Sequence, residues 1–415
     1  MKRNIIIIIC NVALLLPAFG QSLEEYQRIA AENNPGLMSA YKDFEASMQR
    51  IPQVALADPT LSFGYFLSPV ETRVGPQRFK LSLSQMFPWF GTLQAREDAA
   101  ARLAEATYQQ FLDARNNIWY QVAASWYPIY ETNRWIALEE ENLAIIRSFE
   151  DVATVNFQNG EGSMVDVLQA EIRRETSLAN LEIYRDKLKA QVVIFNNLLN
   201  RADTAMVKVP DTLLMTEAQE MLWRDSLLVN NPSLTALQLR QQAAMATETV
   251  AQKEGMPRIG LGLDYVAVAK NANSTVPDNG KDVVMPMATI TIPVFRKKYD
   301  AGIREAQLRQ ESIGSSLENK RNELLTAFEN AWFSLQKEKR QLALYSKNIE
   351  ITEQALNLLY SSYGTAGNDF EELLRTQQQL LQFRKKHAGS LAAYHTAVAK
   401  IKYLTATTEP SFINE

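Results

Sequence analysis

Two histidines, His387 and His395, and one cysteine, Cys10, are all that 415 residues offer to thiolate or imidazole chemistry. The histidines fall on one expected helix with no H-E-x-x-H around either, so no metal site is indicated. Gly260-x-Gly262 sits inside an alternating stretch and lacks the downstream fingerprint of a nucleotide loop. No enzyme, no cofactor and no metal are expected. The charges that invite a different chemistry stand at the starts of two helices: Asp166 in one, and Asp369, Glu371 and Glu372 in the other, with Arg375 one turn on. Carboxylates in a first turn are favoured by the helix macrodipole, which alone accounts for their presence.

Those charges are positioned by return helices, each preceded by a turn. The first turn is Asn159-Gly160-Glu161-Gly162-Ser163, with Ser163 as the expected N-cap. The second is Gly364-Thr365-Ala366-Gly367-Asn368-Asp369, with Asn368 or Asp369 as cap. Before each turn runs a very long helix. Between Gly91 and Gly160 there is no glycine and one proline, Pro128, a possible kink site. As one helix, Thr92 to Gln158 would reach roughly 100 Å, whereas a small domain is about 30 Å across. Helices of that length must project. Their apolar residues recur in steps of three and four: Trp119, Val122, Trp126 and Ile129 in the first, Phe328, Trp332, Leu335 and Leu342 in the second. Ile349, Thr352, Leu356, Leu359 and Tyr363 continue the second seam, which Lys339 interrupts. That spacing predicts antiparallel coiled-coil packing.

The chain repeats itself. Asn33-Asn34-Pro35 returns as Asn230-Asn231-Pro232, Trp126-Tyr127 as Trp332-Phe333, Phe157 as Tyr363, and Asp166-Val167-Leu168 as Glu372-Leu373-Leu374. Such ordered self-similarity marks a duplicated unit. The first unit spans 21–210, with strands about 59–67 and 78–87, a long helix about 91–158 and a return helix about 163–198. The second spans 211–408, with strands about 257–268 and 283–293, a long helix about 298–363 and a return helix about 369–406. Residues 409–415 form a tail.

The strands alternate, with Phe66 a break in the first. Phe79, Leu81 and Leu83 interleave with Lys80, Ser82 and Ser84; Ile259, Leu261, Leu263 and Tyr265 interleave with Gly260, Gly262 and Asp264. Each approximates the roughly 9–11 residues of a tilted barrel strand. Polar stretches, Ser68 to Gln77 and Lys270 to Asp282, join the pairs as expected outward loops. Four strands cannot close a barrel, and lipid does not tolerate an open edge. Strands placed in a membrane must therefore be shared among several chains; otherwise they are hairpins on a soluble core.

Export is written at the start. Lys2 and Arg3 precede an apolar run from Ile5 to Leu16, and Ala18-Phe19-Gly20 offers small residues at a cleavage site. This reads as a signal peptide over 1–20; Cys10, inside the apolar run, does not read as a lipidation site. The rest carries 41 basic against 47 acidic residues, a net of −6, with no basic cluster, so nucleic acid is not an expected partner.

Taken with their order, Asn34-Pro35-Gly36-Leu37 and Asn231-Pro232-Ser233-Leu234 resemble the paired N-P-x-L motifs of the outer membrane efflux protein family, whose type member is TolC. Phe157, Gly160, Ser163, Asp166, Leu168 and Ala170 resemble that family's hairpin tip; Tyr363 through Gln377 resembles it more loosely. The resemblance implies a mixed α and β membrane protein. Three chains would contribute four strands each to a 12-stranded outer-membrane barrel, continued by a helical coiled-coil barrel in the periplasm with a collar near its middle. It implies a passive exit duct of a tripartite efflux pump, partnered by a periplasmic adaptor, an inner-membrane transporter and outer-membrane lipid. It further implies a gate at Asp369, Glu371, Glu372 and Arg375, and adaptor docking at Gly160, Gly162, Ser163, Asp166, Tyr363, Gly364 and Gly367. Where the family carries a second gate carboxylate this chain has Arg375, and Ala366 replaces a family glycine. Ser84 to Gly91 resembles members that accompany heavy-metal exporters of the resistance-nodulation-division class, with drug export the other reading. The alternative to a duct is a periplasmic coiled-coil adaptor or structural protein of an export complex.

Overall fold

A computed structural model describes residues 22–215, 220–366 and 370–407. The expected signal peptide, Gly367, Asn368, Asp369 and the tail fall outside the described residues. In chain order the elements are α1 (Leu23–Asn33), α2 (Pro35–Met48), β1 (Thr60–Thr72), β2 (Gly75–Phe87), α3 (Thr92–Gln158) and α4 (Met164–Leu198), then α5 (Glu220–Val229), α6 (Pro232–Glu254), β3 (Arg258–Val268), β4 (Val283–Thr291), α7 (Arg296–Ala366) and α8 (Phe370–Leu404).

The 67 residues of α3 and the 71 of α7 are single helices, each about 100 Å long at 1.5 Å per residue. Pro128 lies inside α3 without ending it. In the tip-side half α4, α3, α8 and α7 pack side by side in that order; in the strand-side half α2, α3, α6 and α7 do the same. The join between halves explains the paired Asn-Pro. Asn34 caps α2, its side chain accepting from Leu37 N at 3.1 Å while donating to the Leu198 carbonyl, at the end of α4, at 2.9 Å. Asn231 does the same for α6, accepting from Ser233 N at 3.0 Å and donating to the Leu404 carbonyl of α8 at 2.8 Å. Each asparagine thus satisfies orphan groups of two helix ends at once, and each proline fills the first helical position, where no N–H is needed.

The core gathers where the halves meet. Trp119, Val122, Trp126 and Ile129 are buried, as are Phe328, Leu335, Leu342, Thr352 and Leu356 of the second seam, while Lys339 is exposed. Around Trp126, α1, α5 and the segment 207–213 pack onto one face of the helix layer, and the Trp126 indole donates to the Lys208 carbonyl at 3.1 Å.

The four strands form one antiparallel sheet in the order β1-β2-β3-β4. Several ends differ from the sequence reading. The stretch read as a loop from Ser68 to Gln77 is mostly ladder: Val70 pairs Gln77 and Thr72 pairs Gly75, leaving Arg73-Val74 as the turn. Polarity misleads there because hydrogen-bonded pairing does not require apolar alternation beyond the buried stretch. Gly75 is demanded by φ of +122° and by the Ala269 carbonyl, which a β-carbon would strike. β4 ends at Thr291, short of the expected 293, since Pro293 has no N–H for the ladder. α7 extends from Arg296 to Ala366, beyond 298–363, so Gly364 is helical rather than part of the turn.

Candidate functional site: the membrane ribbon and the hairpin tips

The register aligns the alternation of every strand. Across the sheet Phe63 meets Leu81, Leu81 meets Tyr265, and Tyr265 meets Val284. One row nearer the helices, Leu61, Leu83, Leu263 and Pro286 stand together. One face is therefore an unbroken apolar belt, and Leu61, Phe63, Tyr65, Leu67, Leu263 and Ile290 on it are exposed. Phe79 touches both Phe63 and Tyr265, at ring separations of 5.9 and 6.2 Å. The opposite face carries Ser62, Lys80, Ser82, Ser84, Asp264 and Thr289, with Lys80 ion-paired to a fully buried Asp264. Apolar outside and polar inside is the pattern of a lipid-facing barrel wall. Yet β1 and β4 each have a free edge. Helices repeat the situation. α4 exposes Leu168, Ile172, Ile183 and Ile194, and α7 exposes Phe333, Leu344, Ile351 and Leu358. Their 4-, 7- and 11-residue steps keep each set on one helix face.

At the first tip α3 closes with Gly160 at φ +77°, and Glu161 N donates to Asn156 O at 2.9 Å. That is a left-handed helix stop. Gly162 lies against Asn156 and Phe157, where a β-carbon would come within 3.1 Å. Ser163 then caps α4 in a capping box: its hydroxyl accepts from Val165 N at 3.1 Å, and Asp166 accepts from Ser163 N at 3.2 Å. Asp166 is thus occupied structurally. Of the second tip, Tyr363 and Gly364 fall within α7, while Gly367 lies outside the described residues.

The gate candidates sit at the start of α8. Glu371 and Glu372 occupy the first turn, Glu372 and Arg375 are ion-paired within the chain, and Arg375 is exposed. Hydrogen bonding to Glu372 pushes the Arg375 pKa further up, so this cation is permanent. Asp369 lies outside the described residues. On the other side of the same turns Phe370, Leu373 and Leu374 are buried against Phe149, Ala153 and Ala170 of the first hairpin.

One constellation escaped the sequence reading. Glu139 of α3, 1% exposed, accepts from Ser177 of α4 at 2.7 Å and is ion-paired to buried Lys385 of α8. The Lys385 ammonium also lies 3.3 Å from the Tyr184 hydroxyl. Beside it Gln377 donates to Asn142 at 3.1 Å, and the Trp135 indole donates to the Lys385 carbonyl at 3.1 Å. A signal existed: Glu139, Asn142, Ile146, Phe149 and Ala153 follow 3-4 spacing, which places Glu139 at a seam position. His395, the more buried histidine, stacks on Tyr127 with centroids 5.3 Å apart, and burial lowers its pKa.

Residues 223–407, nearly all of the second repeat, match the family described as outer membrane efflux protein. Over 342 residues, 79% of this chain and 71% of the relative, the chain is 25% identical to the outer membrane efflux protein BepC of Brucella suis biovar 1 (strain 1330). Among solved structures the outer-membrane channel OprN superposes with a TM-score of 0.76 at 17% identity, covering 92% of this chain and 89% of that one. The outer membrane protein VceC from Vibrio cholerae gives 0.76 at 16% identity, covering 92% and 95%. Sequence over one repeat and fold over both point the same way: the second repeat matches the outer membrane efflux protein family, and the whole chain shares the fold of these solved channels.

Proposed function

We propose that three copies close into a passive exit duct for cargo that an inner-membrane transporter delivers through a periplasmic adaptor. β4 of one copy pairs with β1 of the next, giving twelve strands, and the α7 stripe packs on the α4 stripe, giving one continuous tunnel. The observation that carries this is the apolar belt on a sheet with two free edges, in a chain whose helices reach about 100 Å. An open edge in lipid leaves backbone groups unsatisfied, so closure between copies is obligatory there. Each free feature has its complement on the other edge of the same chain, as a head-to-tail ring requires. An adaptor would need sizeable β-rich domains; this chain has two strand pairs only among its described residues. No catalytic role is read into it.

Purified chain is expected in the outer-membrane fraction as a detergent-resistant oligomer that disappears on boiling, and to conduct ions in a planar bilayer. A monomeric, water-soluble particle that never conducts would overturn the reading. The mouth is assigned to Glu371, Glu372 and Arg375, with Asp369 beside them, and adaptor docking to both hairpin tips. Three Glu372 carboxylates around one axis attract and retain cations, and Arg375 tempers them. The double variant Glu372→Ala/Arg375→Ala should raise single-channel conductance; an unchanged value would remove these residues from the gate. For cargo, heavy-metal cations handled by a resistance-nodulation-division transporter have one observation in their favour. Met86, Met285 and Met287 share the polar face of the sheet, and Met86 and Met287 stand opposite Gly260 and Gly262. Thioethers favour soft cations. Loss of copper or silver tolerance on deleting the gene, with drug tolerance intact, would support that class over drugs.

A further inference from the structure

Between α3 and α7, above α8, runs a groove of about 620 Å³, within the roughly 300–1,000 Å³ typical of small-molecule sites. Its floor is a stripe of α8 that includes Gly389, Ala393, Thr396 and Lys400. The residues of α8 that face the short elements of the collar are Leu391, Tyr394, His395 and Val398. At about 100° per residue these two stripes lie on opposite sides of the helix. A collar of extra elements cannot stand inside a closed tunnel without blocking it, so the groove opens on the tunnel side.

Two acceptors stand in the α3 wall. Pro128 has no N–H, so the Ala124 carbonyl loses its helical donor, and both residues line the groove. One turn on, the Glu131 carboxylate lies against Gly389; a β-carbon there would come within 2.6 Å of its oxygen. Glycine at 389 is what leaves room for the carboxylate. Among the described residues Glu131 has no hydrogen-bond or ion-pair partner, and only the field of Lys187 acts on it favourably. Burial raises its pKa, the mark of a poorly hydrated charge. The other charges are occupied: Lys337 pairs with Glu338 at 2.7 Å, and Lys400 lies over Tyr120 and Tyr403 at 4.5 and 4.9 Å, in the field of Asp113.

We propose that this groove is a wall site for amphipathic organic cations passing along the tunnel, the apolar floor taking the ring system and Glu131 the ammonium. The inference rests on the duct reading alone and not on the metal cargo argued from the methionines; it adds organic cations as a second class, and intact drug tolerance on deleting the gene would overturn it as a cargo site. It is tested by titrating purified trimer into rhodamine 6G, followed by fluorescence polarisation, with fluorescein as an anionic control. Saturable binding of the cation and none of fluorescein are expected. Glu131→Gln keeps the shape and should weaken binding about tenfold; Ala393→Leu fills the floor and should abolish it. Affinity unchanged in Glu131→Gln, or equal binding of fluorescein, overturns the proposal, and Glu131→Gln decides alone if Ala393→Leu does not assemble. Conductance of the same preparations separates the two readings: trimers that conduct but bind no dye sink only this site, whereas chains that never conduct sink the duct.

Discussion

The two hairpins descend from one repeated pattern, yet they bury opposite things. In the second, Phe370, Leu373 and Leu374 at the start of the return helix α8 are buried against Phe149, Ala153 and Ala170. In the first, the equivalent stretch of α4 leaves Met164, Val165, Leu168 and Ile172 exposed. Both have apolar residues at helical spacing, and both follow a stretch of sequence that contains glycine. What separates them is place in the layer: α8 lies between α3 and α7, while α4 lies at the edge. An apolar stripe in the middle of a layer is core; the same stripe at the edge waits for another chain. Charge obeys the same rule in reverse, for Lys385 on α8 is buried and ion-paired while Lys187 and Lys189 on α4 are exposed.

The sharpest way to break this contrast is to strip the middle helix of its buried charge partner. Lys385→Met leaves Glu139 buried and uncompensated, a loss of about 3–5 kcal/mol. It should lower the trimer's melting temperature markedly, and adding Glu139→Gln should return part of it. A melting temperature within a degree of wild type would mean the pair is not buried in the assembly. At the edge, Ile183→Glu together with Ile351→Glu should abolish the boiling-sensitive oligomer while circular dichroism keeps its helical signal; a surviving oligomer would place the subunit contact elsewhere. The joints should behave alike in both repeats. Asn34→Ala and Asn231→Ala each remove a cap and a carbonyl contact, worth about 1 kcal/mol apiece, and markedly unequal thermal shifts would argue against a shared role. The smallest effects have opposite signs. Gly160→Ala forces a β-carbon into the left-handed region and should cost roughly 1 kcal/mol. Gly364→Ala lies within helix α7 and should stabilise by up to about 1 kcal/mol. Equal signs would mean the two tips turn in the same way.

Much of this was legible beforehand, and the failures are instructive. Ser163 as a cap, the seam from Trp119 to Ile129 and the alternation in β2 and β3 are local patterns, and local geometry honours them. The hairpin through Arg73-Val74 was hidden because Ser68, Pro69 and Glu71 look like loop chemistry while the ladder needs only backbone partners. Glu139 was hidden inside Glu139-Glu140-Glu141, and Lys385 inside Lys385-Lys386. A charge run reads as a solvated face unless its phase against the seam is followed.

Periodicity, duplication, helix length and caps belong to the sequence by itself, because each depends on neighbours within a few positions along one chain. Which stripe is covered does not. Glu139 meets a lysine 246 residues away, and the Asn34 amide finds a carbonyl 164 residues on. Burial is supplied by elements remote in sequence, so only the packed layer distinguishes an inner helix from an edge, and a buried ion pair from two ordinary surface charges.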